Sequence, residues 1–97
     1  MKQTKNNIID YTNYLPTGDG SSENCYTASI GCAAALMSKY KLLKVIKGCL
    51  TGKYKFIFKK QKGINKMAYQ YNNNLLKVDA ELMYENMRLL YIKISKI

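Results

Sequence analysis

The six residues Tyr54-Lys55-Phe56-Ile57-Phe58-Lys59 alternate so strictly that they leave the chain little choice of backbone. Successive side chains of a β-strand point to opposite faces, which puts Tyr54, Phe56 and Phe58 on one side. Lys53, Lys55 and Lys59 take the other side, with Ile57 among them. A helix would scatter the aromatics around its circumference and pull lysines inward with them. The segment therefore reads as a strand with one face in a core, and the rest of the chain must cover that face.

Its neighbours supply candidates. Lys41-Leu42-Leu43-Lys44-Val45-Ile46-Lys47 reads as an upstream partner strand, joined through Gly48 to Gly52. Leu42-Leu43 and Val45-Ile46 break its alternation, so a helix continuing to about Lys47 is the competing reading. Downstream, Gln61 to Asn65 is a turn containing Gly63, after which Met67, Tyr69 and Tyr71 alternate with Lys66, Ala68 and Gln70. That predicts a three-stranded antiparallel meander, against a competing helix over 64–71.

Two segments carry helical spacing. Ser22 suits a cap and Glu23 a first turn, and Tyr26, Ile30, Ala33 or Ala34, and Met37 recur on one face, predicting a helix over 23–38. Ala33-Ala34-Ala35 and Gly31 would let a neighbouring element approach closely. After Asn72-Asn73-Asn74, the residues Leu76, Ala80, Met83, Met87, Leu90, Ile94 and Ile97 keep a 3.5-residue period. This predicts a helix over about 75–92, with 91–97 readable as helix or strand. The expected fold is α+β: an N-terminal helix, a small three-stranded meander with a basic outer face, and a long C-terminal helix packed on the inner sheet face. Residues 23–97 form the domain and 1–22 a tail and loop, from which Ile8, Ile9, Tyr11, Tyr14 and Leu15 can dock as a short edge strand.

Charge is as uneven as hydropathy. Residues 24–78 hold eleven lysines and no acid, while the rest of the chain holds five basic groups against six acidic ones. Phe, Tyr, Met, Ile, Asn and Lys make up 49 of the 97 residues, the set that AT-rich codons encode. Codon drift can account for lysine over arginine, but not for missing acids, since Asp and Glu also have AT-rich codons. A field of one sign attracts polyanions whatever the fold.

Catalytic equipment is sparse. With no histidine in the chain, Cys-His nucleophiles, histidine bases and most zinc sites are excluded. The acids are scattered, so no metal centre and no cofactor is expected, and no glycine-rich phosphate loop occurs. Cys25, Cys32 and Cys49 form no C-x-x-C pair and read as buried small hydrophobes. Asn24-Cys25-Tyr26-Thr27-Ala28-Ser29 resembles the start of the central helix in papain-like folds, where a first-turn thiol has a lowered pKa; the histidine those enzymes need is absent. The run Gly52 to Phe58 resembles the glycine-aromatic strand of RNA-recognition domains, displaced by one residue.

No segment approaches the roughly 18 apolar residues of a membrane span, and the N-terminus has no apolar signal core, so a cytosolic location is the default. The leading expectation is a non-catalytic protein that binds nucleic acid or a nucleoprotein surface. Lys41, Lys44, Lys53, Lys55, Lys59, Lys60, Lys62 and Lys66 would contact phosphates with little sequence preference. The alternative is a small accessory or inhibitor protein, of the kind a phage or mobile element encodes, docking on an acidic protein surface. Anionic membrane surfaces are a weaker fit, because no helix sets lysines opposite a continuous apolar face. The C-terminal seam serves either the core or a homodimer formed through Met83, Met87 and Leu90.

Overall fold

A computed structural model describes residues 11, 13–17, 23–48 and 52–97. The alternating segment is the central strand of a three-stranded antiparallel sheet. In chain order the elements are β1 (Asn24–Thr27), α1 (Ile30–Leu36), β2 (Leu42–Lys47), β3 (Tyr54–Lys59), α2 (Ile64–Asn72) and α3 (Ala80–Ser95), and the strand order is β1-β3-β2. The α+β class stands, as does the upstream strand.

The proposed meander is corrected. Its third strand is not 67–71 but β1, which pairs Cys25 with Phe58 and Thr27 with Phe56. Alternation at Met67, Tyr69 and Tyr71 was the misleading signal. Ile64, Ala68 and Tyr71 also recur at steps of four and three, and burying Ile64 and Ala68 completely satisfies that helical period. Gly63, at φ +89°, provides the left-handed turn from which α2 starts.

The predicted 23–38 helix is likewise shortened. Cys25 and Thr27 point inward and Asn24 and Tyr26 outward, a strand pattern. The helix begins only at Ile30, where Ser29 Oγ accepts the Cys32 N–H at 3.1 Å. Cys25 is therefore a buried strand residue and not a first-turn thiol.

The broken alternation in β2 has a simple cause. Leu42 opposes Phe58 and Lys44 opposes Ile57, so Leu43 is an extra residue in a β-bulge. Beyond it, Val45 faces the core beside Phe56, and Ile46 lies on the other face opposite Lys55.

All three helices contribute to one core on the Phe56/Phe58 side. Leu15, Cys25, Cys32, Ala33, Ala34, Leu36, Phe56, Phe58, Ile64, Ala68 and Leu90 form it. α1 packs against both α2 and α3, and its alanines permit the close approach that the sequence suggests. At Gly31 an added Cβ would come within 2.5 Å of the Tyr71 hydroxyl, so α2 closes on α1 there. α3 leans on α1 more than on the sheet, starts behind the Asp79 cap and runs to Ser95, past the predicted end near 92. It is helical through most of the ambiguous 91–97 stretch.

The end of α1 is satisfied group by group. Met37 N–H donates to the Ala33 carbonyl, Ser38 to that of Ala35, and Lys39 and Tyr40 to that of Leu36. The buried Asn86 of α3 donates Nδ2–H to the remaining carbonyl, Ala34, at 3.0 Å. Residues 11 and 13–17 dock on the body, as the apolar character of Tyr11, Tyr14 and Leu15 suggests. Leu15 is buried, Thr17 bridges to Cys25, and the Leu15 N–H donates to Asn65 Oδ1 at 2.8 Å. Ile8 and Ile9 lie outside the described residues.

Candidate nucleic-acid interface

The eight lysines singled out by charge fall into three places. Lys44, Lys55 and Lys59 lie on the outer sheet face with Asn24, Tyr26, Ile46 and Ile57. That face is mixed. Ile57 is fully buried between Tyr26 and Lys44, and Lys55 places its ammonium 4.6 Å from the Tyr26 ring centroid. As the alternation predicts, Phe56 and Phe58 are buried on the opposite face, so the central strand offers them to the core and not to bases.

The second group is tighter. Lys60, Lys62 and Lys66 line one cavity of about 520 Å³ with Tyr11, Gln61, Gly63 and Asn65. Lys62 and Lys66 are exposed and Lys60 is half-buried. Several ties fix this corner. Tyr40 donates its hydroxyl to the Lys62 carbonyl at 3.2 Å, and Asn65 holds the incoming Leu15 backbone. The Tyr11 ring meets Tyr69 edge-on, with centroids 5.2 Å apart. Burial pushes the Tyr40 phenol above its ordinary pKa. Lys41 leads into β2 at this same end of the sheet, next to Tyr40. Lys53 is apart from the rest, lining a different cavity at the far end with Ala28, Ile30, Tyr54, Phe56, Tyr91 and Ile94.

Pairing also moves charges that the sequence keeps separate. The Lys60 N–H donates to the Glu23 carbonyl at 2.8 Å, so Glu23, just outside the acid-free span, stands beside the lysine corner. In the other direction, Lys93 and Lys96 of the C-terminal segment line a cavity with Leu43, Lys44, Val45 and Ile97. Tyr11, Gln61 and Asn65 were not singled out by sequence. Only Gly63, marking a turn between lysines, signalled that the corner would be concave.

The thiols offer little chemistry. Cys25 and Cys32 are fully buried, and burial pushes both above the usual thiol range. The positive charge of Lys60 works against that rise at Cys25, and a hydrogen bond with Thr27 does so at Cys32. Among the described residues no group of His, Cys, Asp and Glu is arranged to hold a metal ion, and no helix is long and apolar enough to cross a membrane.

The proposed self-association seam turns inward. Leu90 is fully buried in the core, and Met83 and Met87 pack against it half-buried. The large apolar groups α3 does expose are Leu82, Tyr84, Leu89, Tyr91 and Ile92. Between the two tyrosines, Arg88 pairs with Glu85, which lowers the pKa of the glutamate.

Comparison of the chain with known protein families, with curated proteins and with solved structures finds no match.

Proposed function

We propose that this is a non-catalytic protein that binds nucleic acid, alone or within a nucleoprotein surface, through lysines that meet phosphates. One observation carries the reading: Lys60, Lys62 and Lys66 line one cavity, and among the described residues that lining holds no carboxylate. Lys41, Lys44, Lys55 and Lys59 continue the basic surface toward β2 and the outer sheet face, and Lys53 is peripheral to it. Lysine ammonium groups act as point charges, so affinity should depend steeply on salt and weakly on base sequence.

The test is binding of single-stranded and duplex oligonucleotides, and of anionic vesicles, across a salt series. Replacing Lys62 and Lys66 by Ala should flatten the log-log salt slope for single strands by roughly 0.7 for each phosphate no longer neutralised. Absence of nucleic-acid binding at low salt would sink the proposal.

A second reading, docking on an acidic protein surface, is favoured by α3. Tyr84 and Tyr91 are 70 % and 57 % exposed on α3, where neither lines the lysine cavity. Under that reading a Tyr84→Ser/Tyr91→Ser variant loses its partner; under the first it binds nucleic acid unchanged.

A further inference from the structure

We infer that the cavity at the β3–α2 corner receives a terminal phosphomonoester of a nucleic-acid strand, in preference to an internal phosphodiester. The inference rests on the nucleic-acid reading and deepens it by naming what the corner selects.

Three features converge. The first is charge: Lys60, Lys62 and Lys66 all line one concavity. An internal phosphodiester carries one negative charge, whereas a phosphomonoester carries about 1.5 to 2 at neutral pH. Three lysines around one hollow match the more highly charged group. Along an extended backbone, by contrast, lysines would be expected to be spaced out to meet successive phosphates.

The second feature is shape. At about 520 Å³ the hollow falls within the range of roughly 300–1,000 Å³ typical of small-ligand sites. A phosphate inside a continuous strand has a sugar on each side and must lie across a concavity. A phosphate at a strand end has one substituent and can enter. Tyr11, steadied by Tyr69, gives the hollow one aromatic wall for the sugar or base that follows.

The third feature is the floor. Gly63 starts α2 without any side-chain cap, and the first turn holds no acid. The local dipole therefore adds to the lysine field.

The corner is also separate from the other uses of lysine in this fold. It follows the central strand and guards no sheet edge, so edge protection does not account for it.

The experiment compares one fluorescent single-stranded oligonucleotide in three forms: 5′-phosphorylated, 3′-phosphorylated and unphosphorylated at both ends. Anisotropy at fixed moderate salt should show one phosphorylated form binding at least about five-fold more tightly than the unphosphorylated one. A Lys62→Ala/Lys66→Ala variant, confirmed as folded by circular dichroism, should lose that preference and keep residual binding through the sheet face. Competition by a nucleoside monophosphate, but not by the nucleoside or by inorganic phosphate, would identify the phosphate with its attached nucleoside as the recognised unit. Equal binding of all three oligonucleotides by the wild-type protein overturns the end-pocket inference and leaves the nucleic-acid proposal standing. Failure of all three to bind at low salt overturns both.

Discussion

Asn65→Asp separates the charge of the lysine corner from its architecture. Asn65 is 9 % exposed in the first turn of α2, and its Oδ1 accepts the buried Leu15 N–H at 2.8 Å. A carboxylate has nearly the same shape and accepts the same bond, strengthened by its charge. With Lys60, Lys62 and Lys66 around the cavity it stays ionised at neutral pH. An anion at the centre of a hollow of about 520 Å³ is roughly 5 Å from the walls. At that distance an effective dielectric between 20 and 80 gives about 1–3 kcal/mol per pair of unit charges. Because Lys62 and Lys66 are exposed, water screens the site and the low end applies. A phosphomonoester of nearly two charges then loses about 2 kcal/mol, roughly a 30-fold weakening.

Asn65→Ala does the reverse. It adds no charge and strands the Leu15 N–H, a loss of about 1–3 kcal/mol. In a domain of this size that lowers Tm by roughly 4–8 °C per kcal/mol. Anisotropy titration with a phosphorylated oligonucleotide, paired with thermal melts, reads both effects. Asp should weaken binding at temperatures where the variant remains folded, and Ala should lower Tm with per-molecule binding held. An Asp variant that melts and binds like the wild type would refute the placement of phosphate in this hollow.

Three further outcomes test the structure itself. Cys25 and Cys32 should resist iodoacetamide in the native protein at pH 8 and react once it is unfolded; reaction of Cys25 at native rates typical of a free thiol would reopen a nucleophilic role. Their folded pKa values lie above the unfolded one, so their contribution to stability is complete below the unfolded pKa of about 8.5 and declines as pH rises through the folded values. Cys32→Ala should flatten the alkaline fall in Tm, and an unchanged slope would count against this assignment. Asn86→Ala leaves the Ala34 carbonyl without its partner and should cost about 1–3 kcal/mol in a denaturant melt. A loss under a few tenths would show that water replaces Asn86 there.

The parts of the fold that were legible in sequence are those where one period dominates. Tyr54–Lys59 has a single reading, and the 3.5-residue spacing from Ala80 to Ile94 lies on the core side of α3 through Met83, Met87, Leu90 and Ile94. Segments obeying two periods at once were not legible. Met67, Tyr69 and Tyr71 fit a strand, while Ile64, Ala68 and Tyr71 fit a helix, and only the packing of Ile64 and Ala68 beneath α1 decides between them. β1 failed for another reason. Four residues are too few to show a period, and their pairing with β3 reaches from Asn24 to Lys59 along the chain, which no local pattern records. The bulge at Leu43 hid a true alternation behind an apparent break.

Charge needs a stricter argument than counting, because a surface lysine can serve either of two ends. β2 is an edge strand, and a lysine along it such as Lys47 is enough to discourage another chain from pairing there. Such lysines would be present whether or not the protein met a polyanion, so their number says nothing about a ligand. Lys60, Lys62 and Lys66 follow the central strand, where no edge is open, and they line one hollow, where like charges repel one another. Holding three like charges around a concavity costs folding free energy that a spread-out arrangement would avoid. Glu23, brought beside Lys60 by the pairing of β1 with β3, offsets part of that repulsion from outside the cavity lining. The remaining repulsion is the physical reason to place an anion there: filling the hollow with phosphate relieves it, so ligand binding should raise Tm more at low salt than at high salt. A Tm increase that did not depend on salt would mean that the bound group is held by groups other than these lysines.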